Sequence, residues 1–114
     1  MPVVDSYRSG KIVIDGKNYI NDVIILPDGV YANWWRKEGH RLCIDDLNEA
    51  LKANPKILII GTGTQGFMKV PQDVKDFLRH EDIEVHIKKT NEAVALYNRL
   101  NKQTRVVAVL HLTC

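Results

Sequence analysis

The chain has 114 residues, 16 Lys and Arg against 14 Asp and Glu for a formal net charge of +2, 45% hydrophobic residues and two cysteines. At this length roughly two thirds of the unfolded surface can be buried, so one core forms without metal or disulfide staples and a second domain has no room. The longest apolar runs, Ile57–Ile60 and Val106–Leu110, fall far short of the roughly 20 residues that span a bilayer. Nothing in MPVVDSYRSG has the apolar centre of a signal peptide. These figures describe a single soluble globular domain over residues 1–114, cytoplasmic, with no membrane association, and they name no activity.

The first third reads as antiparallel strands. KIVI and KNYI flank Asp15-Gly16, a pair that supplies the positive φ a tight hairpin needs. Pro27-Asp28-Gly29 joins Val23–Leu26 to a strand beginning Val30-Tyr31, and Asn21-Asp22 makes the bend between the two hairpins. Four strands in a meander follow from this reading. Asp46 with Glu49 resembles a capping box opening a short helix, which must stop near Asn54-Pro55. Ile57–Ile60 is apolar on both faces and suits a central covered strand. Pro71 opens a second helix with Val74, Phe77 and Leu78 facing the core. Ile83, Val85 and Ile87 alternate with polar residues as a half-buried strand. Thr90 caps a third helix carrying Ala93, Leu96, Tyr97 and Leu100, and Val106–Leu110 closes as a buried strand. The predicted class is α+β (mixed α/β): N-terminal antiparallel strands, then a β-α-β-α-β half with helices packed on a mixed sheet.

Gly61-Thr62-Gly63-Thr64-Gln65-Gly66 matches the G-x-G-x-x-G pattern after a strand. In the dinucleotide fingerprint the third Gly lies inside the following helix, whereas here Phe67–Val70 intervene before Pro71, so no nicotinamide or flavin cofactor is expected. Free loop amides, the next helix start and Lys69 could still cradle a small anion. Otherwise the glycines simply permit a tight turn. Trp34-Trp35-Arg36 places two indoles beside cations. Such a segment can anchor a protein interface, while the small net charge argues against nucleic acid as a partner. His40-Arg-Leu-Cys43 and His111-Leu-Thr-Cys114 form two H-x-x-C units. Residues three apart on a straight strand point to opposite faces, so no metal site is expected, and in a cytoplasmic chain both cysteines are expected as reduced thiols. No serine, cysteine or carboxylate constellation is recognisable as catalytic.

Taken together, WWRKEGH, the D-L pair, IIGTGTQGFMKVP, TNEAVALYNRL and HLTC resemble the small uncharacterised single-domain family that includes the mitochondrial respiratory complex I assembly factor 3 and the adipogenesis-associated domain protein. The WWR, GH and HLTC forms look like its prokaryotic branch. The resemblance implies a compact α+β domain and, for members tied to complex I, assembly through protein contacts, with no catalytic residue to carry over. Two functions are therefore expected in order. The first is a non-enzymatic interaction or assembly module that uses Trp34, Trp35 and Arg36 for a protein partner or a homodimer. The second is a small-molecule or anion-binding protein, enzyme or not, with a pocket formed by Arg36, His40, Gly61, Gly63, Lys69 and His111.

Overall fold

The computed structural model describes residues 1–102 and 105–114. The chain opens with β1 (Val4–Arg8), β2 (Lys11–Ile14) and β3 (Lys17–Tyr19), which form a small antiparallel sheet in the order β1-β2-β3. Asp15 and Gly16 both have positive φ at the β2–β3 turn, as the Asp-Gly pair requires. A second hairpin, β4 (Val23–Leu26) with β5 (Gly29–Tyr31), belongs to a different sheet. The expected meander is thus divided at residues 20–22. The first strand, carrying the polar pattern VDSYR, lies outside what alternation alone detects.

The larger sheet has the order β5-β4-β8-β6-β7, where β6 is Ile57–Thr62, β7 is Glu84–Lys88 and β8 is Val106–His111. β6 pairs in parallel with both β7 and β8, whereas β4 pairs antiparallel with β8. The crossovers between these parallel strands carry α2 (Gln72–His80) and α3 (Thr90–Leu100). A 3-10 turn, Ile44–Leu47, runs into the short α1 (Asn48–Lys52).

Both faces of the central strands are buried, which explains their unbroken apolar runs. Val23, Ile25, Ile57, Ile59, Ala108 and Leu110 face a core shared with Ile12, Ile14 of the small sheet and Ala93, Leu96, Tyr97 of α3. Ile24, Leu58, Ile60, Val107 and Val109 face a second core with Trp34, Leu47, Met68, Val74 and Leu78. Period-two alternation thus assigns each strand residue to one core or the other.

Two caps differ from the sequence expectation. The Asp46 carboxylate accepts the Cys43 N–H at 2.8 Å, so the box is Cys43 with Asp46 and not Asp46 with Glu49. Thr90 is the first residue of α3, with Lys89 before it. Its hydroxyl accepts the Gly63 N–H at 2.8 Å and donates to the His111 carbonyl at 2.6 Å, tying together the ends of β6 and β8.

Candidate functional site

The site forms where β8 ends and β4 begins, at one end of the larger sheet. His111 is the last residue of β8, Asp22 immediately precedes β4, and Arg36 comes from the WWR segment after β5. That segment is extended enough to alternate. Trp34 is 4% exposed and donates its indole N–H to the Asp46 carbonyl at 2.9 Å, whereas Trp35 is 79% exposed. Arg36 turns inward again, its guanidinium carbon 4.8 Å from the centre of the Trp34 ring. Cation–π contact and burial hold it there.

Arg36, Asp22 and His111 form a closed polar cluster. Arg36 Nη1 donates to Asp22 Oδ2 at 2.7 Å, and Nη2 donates to the Gly39 carbonyl at 2.9 Å. Asp22 Oδ1 accepts the Leu112 N–H at 2.7 Å, and Oδ2 lies 2.8 Å from His111 Nδ1. Burial raises the Asp22 carboxyl pKa, but the bonds from His111, Leu112 and Arg36 outweigh it and hold the group below its ordinary 3.8. Asp22 is therefore ionised at neutral pH and can only accept. Arg36 Nη2, which can only donate, also lies 3.1 Å from His111 Nδ1, but it already serves the Gly39 carbonyl, so the shorter Asp22 contact assigns the proton to His111 Nδ1. In the neutral ring, Nε2 then carries a lone pair. His111 Nε2 and Arg36 Nε are both buried and have no hydrogen-bond partner among the described residues.

A cleft of about 290 Å³ opens over this cluster, with Ile20 and Trp35 among its apolar walls. The His40 ring lies beside it, 5.9 Å between centroids from His111 and 6.4 Å from Phe67. A ring nitrogen of His40, one of His111 and the Cys114 thiol all fall within 4.8 Å of one another. Chemically, a buried imidazole backed by a carboxylate can accept a proton or ligate a metal.

Of the six pocket residues expected from sequence, Arg36, His40 and His111 come together here. Gly61 is a packing glycine instead: a Cβ there would meet Leu110 at 2.9 Å and Thr90 Oγ1 at 3.0 Å. Gly63 has φ +110° and lies against the backbone of Thr113 and Cys114, where a Cβ would come within 2.5 Å of the Thr113 carbonyl. Lys69 acts through its main chain, its N–H donating to the His40 carbonyl at 2.8 Å while its carbonyl accepts from Leu42 at 2.9 Å. Its side chain is exposed. Five amides of this stretch are committed: Gly63 to Thr90, Thr64 to Thr113, Gly66 to Gly63, Phe67 to Cys114 and Met68 to Thr62. Through Thr64 and Phe67 this loop binds the chain's own Thr113–Cys114 segment. Asp22 is the residue that sequence reasoning missed, because Asn21-Asp22 reads as an ordinary bend. Cys43, the other thiol, is set apart from the three-residue cluster.

The model of a protein family of unknown function, DUF498/DUF598, matches residues 4–111. The chain belongs to this family. Among solved structures, the DUF498/DUF598 chain is similar to the conserved hypothetical protein PH1505 from Pyrococcus horikoshii OT3, with 30% identity over 97% of this chain and 98% of that one and a TM-score of 0.83. It is also similar to MT938, at 26% identity, full coverage of both chains at 100% and a TM-score of 0.81. The fold is shared as well by a Mth938-like domain protein from Bordetella pertussis, at 23% identity over 97% of this chain and 85% of that one, TM-score 0.75. The prokaryotic resemblance in the sequence and the mixed α+β fold agree with these likenesses. No helix among the described residues is long and apolar enough to cross a membrane.

Proposed function

We propose that this member of the DUF498/DUF598 family binds a small, uncharged amphipathic molecule in the cleft over Asp22, Arg36 and His111. The observation that carries this reading is His111, which lines an apolar-walled cleft and whose buried Nε2 has no hydrogen-bond partner among the described residues. A buried ionic cluster stabilises a fold less well than packed apolar residues do, and such groups concentrate where ligands are read. An anion suits this floor less well than an uncharged group, because Asp22 neutralises Arg36. An apolar or aromatic body fits against Trp35 and Ile20, with a polar end directed at His111.

A second reading, the interaction module, is supported by Trp35 and Ile20, which are 79% and 73% exposed on the same rim. Exposed aromatic anchors are common at protein interfaces. A fragment screen by amide and indole NMR on chelator-treated protein tests the first reading. Hits should shift the Trp35 indole and the residues around His111, and should weaken at least about tenfold in Trp35→Ala, the loss of a buried aromatic contact. Hits elsewhere, or none, defeat it. If Trp35→Ala instead changes only the mass by light scattering, the rim is an interface between chains.

A further inference from the structure

We propose that His40, His111 and Cys114 bind one divalent transition-metal ion of the zinc type, leaving a fourth coordination position open to the cleft. This deepens the ligand-binding reading of the same floor, and rests on it only for what fills that fourth position.

Three observations converge. First, the donor atoms of the three residues, two imidazole nitrogens and a thiol, already lie within 4.8 Å of one another. Ligands around a tetrahedral zinc at about 2.0–2.3 Å sit roughly 3.3–3.6 Å apart. Closing the set therefore needs shifts of about 1 Å. His40 and Cys114 are the more exposed members, with room for such shifts, while His111 is buried and bonded to Asp22. Second, His111 is prepared as a ligand. Its Nδ1–H is bound by Asp22, its Nε2 lone pair is buried and unshared among the described residues, and a carboxylate behind a metal-binding imidazole is the usual support that orients the ring and raises its basicity.

Third, the main chain places the two loop ligands by dedicated contacts. The Lys69 N–H holds the His40 carbonyl at 2.8 Å, and the Phe67 N–H holds the Cys114 carbonyl at 3.2 Å. Glycine at 63 lets the Thr113–Cys114 backbone pass where any Cβ would collide with it. The opposite-face geometry expected within each H-x-x-C unit does not separate these donors, because His40 and Cys114 both lie outside strands and only His111 belongs to one. Two imidazoles and a thiolate form a borderline-soft set that selects zinc-like ions over magnesium or calcium. Binding converts the Cys114 thiol to thiolate and releases its proton to solvent.

Cobalt(II) titration of the reduced, chelator-treated full chain tests this directly, because a cobalt–thiolate bond has a near-ultraviolet charge-transfer absorption and tetrahedral cobalt has strong visible bands. One equivalent should saturate both, and zinc should displace the cobalt. Cys114→Ser should abolish the charge-transfer band and Cys43→Ser should retain it. His40→Ala, at an exposed position, should weaken zinc binding by at least about tenfold, since even an outer-shell partner of a metal site is worth that much. Absence of the band at one equivalent overturns the proposal, as does a band that survives Cys114→Ser. The fragment screen on metal-free protein reads the cleft separately, so either reading can fail alone.

Discussion

At the scale of single residues, Asp22 decides most. It links a buried cation, a buried imidazole and the first amide beyond β8. Its pKa is lower in the folded chain than the ordinary 3.8, so its stabilisation is fully present above about pH 4 and is lost as pH falls through the lower, folded value. Asp22→Asn removes the charge and leaves Arg36 buried without a counter-ion. Removing one partner of a buried pair costs about 3–5 kcal/mol, and the remaining amide oxygen, which can still accept from Leu112, puts the expected loss near the lower figure. Urea unfolding at neutral pH should show that loss, and the gap between variant and parent should narrow below about pH 4 as Asp22 itself protonates. A gap independent of pH would mean that the carboxylate charge is not what matters. Arg36, His40 and His111 are legible in the sequence as candidates because their residue types are unusual beside Trp and Gly. Asp22 is not, since an Asn-Asp bend is common and only the convergence of strand ends gives its carboxylate three partners.

Among the elements, α3 is the clamp on β1. The Tyr97 hydroxyl donates to the Pro2 carbonyl at 2.7 Å, Asn101 donates to the same oxygen at 3.0 Å, and Asn98 exchanges bonds with both the N–H and the carbonyl of Val4. Burial pushes the Tyr97 phenol up to about 12 from its ordinary 10.0. The raised value means that the folded chain holds this proton more tightly, so the contribution is complete below about pH 10 and declines from there toward about pH 12. Tyr97→Phe deletes one hydrogen bond while Asn101 still serves Pro2, so about 1 kcal/mol should be lost at neutral pH. Between about pH 10 and pH 12 the parent should lose more stability than the variant, and the β1 amides should exchange hydrogen faster in Tyr97→Phe. Equal alkaline loss in both proteins would assign the titration to another group. Helical periodicity makes Tyr97 legible as a core residue, but its polar partner is a carbonyl 95 positions away, a separation at which local pattern carries no information. The same limit explains β1, whose largely polar pattern becomes a strand only through its neighbours β2 and α3.

For the whole molecule, the central strands bind two cores into one structure. Neighbouring residues of β6 serve opposite faces: Leu58 packs with Trp34, Leu47 and Leu78, while Ile59 packs with Tyr97, Leu96 and Ile12. Neither core can lose its side of β6 without releasing the backbone ladder that the other uses, so both should unfold together. The double-sided burial is legible in the Ile57–Ile60 run; the division of the N-terminal hairpins between two sheets is not, because the run of residues 20–22 shows a bend without showing which sheet edge is free to receive β4. Leu58→Ala and Ile59→Ala should each cost about 2–5 kcal/mol through lost burial and residual cavity. In denaturant, tryptophan fluorescence reports the Trp34 core and far-ultraviolet circular dichroism reports all elements. If the two cores are coupled, the two signals should trace one transition in the parent and in both variants, with the midpoint lowered and the slope unchanged. Separation of the signals in Ile59→Ala alone would show that the small sheet with α3 melts first, and that the site at the end of β8 can outlast half of the structure that supports it.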